Sequence, residues 1–160
     1  MQSFSLLLER LADSGIEFVI VGGYAAVAHG STLVTRDLDI CALVTSESIA
    51  ALRRALAEWN PRHRMTPQRL SFLEHPKAES VRNLYLETDV GVLDVMSEIT
   101  GVGDVQRLKQ KAERLKIGGR DYRLIALDDL IMAKEAIGRE KDLLAAKELK
   151  AIALKRRSRP

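Results

Sequence analysis

Apolar positions change period several times along the chain, and each change marks an element. Phe4, Leu7, Leu8 and Leu11 recur at helical spacing through residues 3–13, with Gly15 as the stop. Residues 17–21 form a short β-branched and aromatic run, which predicts a buried strand. Gly22-Gly23 breaks that run, and the alanine-rich stretch 24–29 predicts a short helix closed by Gly30. Residues 37–44 alternate acidic and apolar positions, so they predict a strand with one chemical face and one core face. Ser46 then opens a helix that runs to about Trp59 and stops before Pro61.

Residues 60–76 hold three prolines, Arg62, His63, Arg64 and Arg69, with little periodicity, and read as a mobile segment. Residues 81–87 and 90–95 predict two strands, with Thr88 and Asp89 supplying the turn. A weak helical pattern covers 104–111, and residues 112–117 and 120–125 flank Gly118-Gly119 as a hairpin. From Leu127 the pattern is helical again, with a break at Gly138. No internal repeat or low-complexity segment interrupts the chain. Strands and helices mix, hairpins lie in the middle and helices at the C-terminal end. The fold class is therefore α+β (mixed α/β), one mixed sheet flanked by helices. The expected division is a core over 1–126 and a C-terminal helical segment over 127–160, packed on the core and ending in a basic tail.

Composition narrows the function classes. The 160 residues are 46% hydrophobic and 29% charged, with a formal charge of +3, ordinary values for a globular domain. Much of the excess base lies in Lys155-Arg156-Arg157-Ser158-Arg159, a tail that reads as solvated and mobile, with phosphate contact as the alternative. Cys41 is the only cysteine, so an intramolecular disulfide framework is excluded, and its strand-like surroundings suit a buried small hydrophobe. The first fifteen residues have no basic region before their short apolar stretch. The longest apolar runs are too short to span a bilayer. The expectation is a cytoplasmic protein without a membrane partner.

The chemistry concentrates in residues 20–40, IVGGYAAVAHGSTLVTRDLDI. Asp37 and Asp39 on one strand would point to the same side, roughly 6.5–7 Å apart along it. Two such carboxylates repel unless a cation or proton sits between them, and Mg²⁺ is the usual ion where phosphates also bind. A solvated acidic edge is the other reading of the pair. Gly22 and Gly23, at the end of a strand and the start of a helix, let backbone N–H groups approach a phosphate; an ordinary turn is the alternative. No GxGxxG and no GxxxxGK[ST] is present, which removes support for dinucleotide and P-loop folds. Asp94, the one charge inside GVLDVM, is costly there unless paired or metal-bound, as a ligand or as a structural carboxylate. Asp89, in the turn, suits a structural role better. Together a phosphate cradle and paired acids describe phosphoryl or nucleotidyl transfer. His29 reads as a capping or packing residue, and neither it nor His63 has a partner at catalytic spacing.

The run GGYAAVAHG…TRDLDI, followed by a strand with a single Asp, resembles the nucleotidyltransferases of the DNA polymerase β superfamily. It is most similar to the small prokaryotic members that include the AbiEii-type abortive-infection toxins, whose Thr-x-Asp-x-Asp pattern is matched by Thr35-Arg36-Asp37-Leu38-Asp39. The C-terminal helices resemble theirs through Lys134, Arg139, Lys141 and Asp142. The resemblance implies Asp37, Asp39 and Asp94 as catalytic acids and ligands for two Mg²⁺ ions. It also implies Gly22, Gly23 and Thr35 on the nucleotide side, with Lys134 and Lys141 as charge partners for the triphosphate. The implied substrate is an NTP and the setting a toxin–antitoxin or phage-defence pair with a cognate partner; the acceptor is not carried over by the resemblance and stays open between an RNA (tRNA) end, a protein hydroxyl or phosphate, and a small molecule. A catalytically silent nucleotide-, RNA- or partner-binding module of the same fold is the alternative. Two departures stand out: Leu33 occupies a position where many relatives have arginine, and the long C-terminal helical domain of the larger toxins has no counterpart. On its own, Lys134 also reads as a snorkelling lysine on a half-buried helix face, and Asp142 as a carboxylate orienting the last helix.

Overall fold

The computed structural model describes residues 3–77 and 81–159. Its centre is a sheet of seven strands in the order β3-β4-β5-β2-β1-β9-β8. The strands are β1 (Val19–Val21), β2 (Asp37–Cys41), β3 (Arg62–His63), β4 (Asn83–Thr88), β5 (Gly91–Met96), β8 (Glu113–Ile117) and β9 (Arg120–Leu124). A separate pair, β6 (Glu98–Ile99) and β7 (Gly103–Asp104), extends from the end of β5. The sheet is mixed: β2 runs parallel to β5 and β1 parallel to β9, whereas β1–β2, β3–β4, β4–β5 and β8–β9 are antiparallel.

Alternation decides which face is core. Leu38 and Ile40 of β2 stand opposite Leu93 and Val95 of β5, which stand opposite Leu86 and Leu84 of β4. All six are essentially fully buried. They join one cluster with Leu7, Leu8 and Leu11 of α1 (Phe4–Asp13) and with Ile49, Leu52 and Leu56 of α3 (Ser46–Leu56). At roughly 1.5–3 kcal/mol per fully buried large aliphatic side chain, this cluster is the main stabilising mass of the fold. The opposite face of the same strands carries the acids. Central β1 is buried on both faces, which explains its unbroken VIV.

Helix limits follow local chemistry. Thr45 caps α3 in a reciprocal box with Ser48: the Ser48 N–H donates to Thr45 Oγ1 at 3.2 Å and the Thr45 N–H to Ser48 Oγ at 2.8 Å. The helix ends at Leu56, and a single 3₁₀ turn (Ala57–Trp59) carries the chain to Asn60. The short α4 (Val105–Lys109) is capped by Asp104, which accepts from the Arg107 N–H. Gly138, with φ +72°, separates α5 (Leu127–Ile137) from α6 (Glu140–Arg157).

Several expectations are corrected. The first strand of acids ends at Cys41 rather than Val44, and the turn after β4 is Asp89-Val90. Thr88 lies inside β4, where its buried hydroxyl donates to the Gly91 carbonyl at 2.8 Å and so ties the turn. Residues 60–76 are packed rather than loose. Phe72 is fully buried, Arg53 Nε donates to its carbonyl at 2.7 Å, and Arg62 and His63 form the edge strand β3. Residues 78–80 lie outside the described residues, as does Pro160 of the tail. The basic tail is helical as far as Arg157, and Arg156 is tied to Glu113 at 3.4 Å and to the His29 ring at 3.0 Å. Among the described residues, no helix is long and apolar enough to cross a membrane.

Candidate active site

Strand register brings the three acids together. Asp39 of β2 stands directly opposite Asp94 of the parallel strand β5, and Asp37 is two residues back on the same face. Asp39 also faces Val21, the last residue of β1, where the chain enters α2 (Gly22–Ala28). The glycines are thus the first turn of the helix itself, not a turn ahead of it. Gly22 has φ +67°, and a Cβ built there would fall 2.1 Å from Asp39 Oδ2. Only glycine permits both that backbone and that contact. A Cβ at Gly23 would meet Thr35 Oγ1 at 2.9 Å, so the second glycine makes room for Thr35, whose hydroxyl donates to the Asp37 carbonyl at 3.1 Å. No side chain caps the N-terminus of α2.

The charges are unevenly compensated. Asp94 is only 5% exposed, and Arg64 grips it with two hydrogen bonds, Nε to Oδ1 at 3.1 Å and Nη2 to Oδ2. The same Nη2 lies 4.0 Å from Asp37 Oδ2. Burial pushes Asp94 above the usual carboxylate range, and the Arg64 hydrogen bonds pull it back without cancelling the rise. The Asp94 carboxylate in turn raises the Arg64 pKa. Among the described residues, Asp39 has no direct cationic partner. Burial first, then the neighbouring Asp94 and Asp37 charges, raise its pKa to about 7, with Lys134 and Arg64 opposing from farther off.

The remaining residues singled out by sequence are spread around this centre. Lys134 of α5 is close enough to bias Asp39, and its Nζ lies 3.8 Å from Asp142 Oδ1. Asp142 is buried and bound by Arg139 Nε at 2.6 Å, which lowers its pKa and fixes the α5–α6 junction. Lys141 is exposed in the first turn of α6, and no hydrogen bond or ion pair among the described residues ties it to the acids. Leu33 is exposed beside Thr32, whose hydroxyl donates to Glu148 of α6 at 2.8 Å. His29 Nε2 meets the Ile125 carbonyl at 2.7 Å and His63 Nε2 the His75 carbonyl at 2.9 Å, both packing roles. Asp89 pairs with Arg62 at 3.2 Å. Cys41 is buried, with its thiol pushed up to about 12, chiefly by burial.

Sequence reasoning missed Arg64. The Arg62-His63-Arg64 run does carry a signal, because residues i and i+2 beside a strand share a face, and here that face is the one with the acids. Arg64 also lies over Tyr85, 5.6 Å from the ring centroid, and Tyr85 stands opposite Asp94 on β4. Among the described residues, no group of three or more His, Cys, Asp or Glu side chains is already drawn together to hold a metal ion. The donor chemistry still fits one. Three carboxylates share a face with one adjoining guanidinium, which leaves net negative charge and only hard oxygen donors, the preference of Mg²⁺.

No protein-family model and no curated protein matches the sequence. Solved structures do match. A lincosamide antibiotic adenylyltransferase with lincomycin bound superposes with a TM-score of 0.60 at 15% identity, over 94% of this chain and 98% of that one. A Thermotoga maritima protein assigned as a nucleotidyltransferase gives 0.52 at 16% identity, over 88% and 85%. A nucleotidyltransferase-like antigenic protein from Paracoccidioides brasiliensis gives 0.54 at 16% identity, over 92% and 72%. This is a nucleotidyltransferase fold. Here the mixed sheet, the glycine-led α2 and the β2–β5 pairing adjoin, and Asp37, Asp39 and Asp94 lie on the sheet face opposite to Leu38, Leu93 and Val95.

Proposed function

We propose that this chain is a nucleotidyltransferase that moves a nucleoside monophosphate from an NTP to an acceptor hydroxyl or phosphate. The observation that carries the proposal is the β2–β5 register, which stacks Asp39 on Asp94, with Asp37 beside them, against a glycine-led helix start. Asp37, Asp39 and Asp94 would hold Mg²⁺. Bound there, the ion would supply positive charge to the reacting phosphate and the attacking oxygen. The uncapped N–H groups at Gly22 and Gly23 orient the phosphates, since a helix start free of side chains favours an anion. Thr35 keeps Asp37 in place through its backbone carbonyl. Lys134 adds charge on the α5 side, and Lys141 extends it along α6. Asp94, on β5 and one strand removed from the glycines, would be the acid that takes a proton from an acceptor hydroxyl.

The acceptor is of a class that brings a hydroxyl or phosphate to the β4–β5 side of Asp94: an RNA end such as that of tRNA, a protein side chain, or a small molecule such as the lincomycin bound by one neighbour. A toxin–antitoxin or phage-defence setting with a cognate partner rests on the resemblance of residues 20–40 and 127–149 to the AbiEii-type toxins. The catalytically silent alternative is disfavoured, because a mere binder has no need to bury Asp94 and crowd three acids at a cost in stability.

The test is ligand-dependent melting. Mg²⁺ with the correct one of the four NTPs is expected to raise Tm, at a hundred times Kd by the equivalent of about 2.7 kcal/mol. In Asp37→Asn/Asp39→Asn the metal-dependent part of that gain is expected to disappear. An unchanged gain in the double variant would place any metal elsewhere and overturn the assignment.

A further inference from the structure

Arg64 has the geometry of a resident cation. Its guanidinium is bidentate on Asp94 and reaches Asp37, so it already pairs with two of the three carboxylates assigned to the metal. The arrangement is built rather than incidental. The Arg64 N–H donates to the Tyr85 carbonyl at 3.0 Å, which places the residue one position beyond β3, directly across β4 from Asp94. The ring of Tyr85 supports the guanidinium from one side, and only about a quarter of the side chain is exposed. A divalent ion ligated by Asp94 and Asp37 needs the oxygen lone pairs that Arg64 now uses, and two cations sharing them at that range would repel.

We propose that Arg64 is a positioning residue that competes with the metal. It holds Asp94 and Asp37 in register while no metal is bound and must give up at least one of its two Asp94 hydrogen bonds when the metal enters. This rests on the nucleotidyltransferase reading of the acids. It goes beyond that reading in assigning the metal-free site its own counter-ion. Metal affinity is then set below what three carboxylates alone would give. The same pair stabilises the metal-free fold, because without Arg64 the buried Asp94 carboxylate is left uncompensated.

Titration of Mn²⁺ without nucleotide, followed by the loss of the free-ion electron paramagnetic resonance signal, tests this on wild type, Arg64→Gln, Arg64→Lys and Asp37→Asn. Arg64→Gln is expected to bind Mn²⁺ about tenfold more tightly than wild type, a change equal to one charge-assisted contact no longer competing. It should also melt lower in EDTA and gain more Tm from Mn²⁺. Arg64→Lys, a single point charge in place of a fork, should fall between the two. A purely structural ion pair between the β3 end and β5 would lower Tm without tightening Mn²⁺ binding. Affinity in Arg64→Gln equal to or weaker than wild type therefore overturns the proposal. Asp37→Asn separates the two levels. If wild type binds Mn²⁺, Asp37→Asn loses it and Arg64→Gln is no tighter, only the role of Arg64 fails. If neither wild type nor any of the variants binds Mn²⁺, both readings fail.

Discussion

Asp39 shows how a single residue records the conflict between stability and chemistry. Its pKa stands at about 7 against an ordinary 3.8, raised first by burial and then by Asp94 and Asp37. Between those two pH values the folded chain keeps a proton that the unfolded chain has lost. Stability therefore falls as pH rises from about 4 to about 7, and the whole penalty is present above 7. The shift corresponds to a cost on the order of 2–4 kcal/mol. Asp39→Asn is expected to raise the metal-free Tm at pH 8 and to flatten the Tm–pH profile between pH 4 and 7. A variant that melts lower at pH 8 on an unchanged slope would show that Asp39 is not the strained acid. Gly22 is the second residue-scale test. Gly22→Ala combines a positive φ with a Cβ driven into Asp39 Oδ2, so Asp39 must move. A loss of roughly 1–3 kcal/mol by chemical denaturation is expected, and an unchanged midpoint would contradict this packing.

At the scale of elements, what could be read from sequence depended on length. The D-x-D strand, the Gly118-Gly119 hairpin and the Gly138 break were legible because each has either a period or a turn residue with one backbone role. β3 was not, since two residues carry no period, and its partner Glu87 is 25 positions from Arg62. The prolines around it read as loop, yet Phe72 is held by Arg53 and by a T-shaped contact with the His63 ring at 5.7 Å between centroids. Phe72→Ala is therefore expected to cost about 3–5 kcal/mol, measured by urea denaturation. A loss below about 1 kcal/mol would restore the expectation of a loose segment. The α3 cap gives a smaller, independent check. Thr45→Ala removes one half of a reciprocal box and should cost about 1 kcal/mol, with no effect on metal or nucleotide binding.

Across the whole molecule, one sheet serves two purposes because strand residues alternate. Its inner face holds Leu38, Ile40, Leu84, Leu86, Leu93 and Val95, and its outer face holds Asp37, Asp39, Asp94, Tyr85 and the nearby Arg64. The acids and the glycines stand out in the sequence because each breaks a local rule, charge within strands and glycine where a helix begins, whereas Lys134 stands out only through the family resemblance. Arg64 breaks none, since an arginine among arginines in a proline-rich stretch looks like solvated surface. Its role exists only once β3, β4 and β5 are laid side by side. Nucleotidyl transfer at the three acids is open to a single assay. Its most direct measurement is transfer of label from each α-³²P-labelled NTP, with Mg²⁺, to total RNA, protein or small-molecule acceptors by wild type and Asp94→Asn. Wild type is expected to transfer label from at least one NTP, and Asp94→Asn to lose roughly a hundredfold or more of that rate while its NTP binding weakens only modestly. Equal transfer by Asp94→Asn, or nucleotide binding without transfer to any acceptor by wild type, would contradict it.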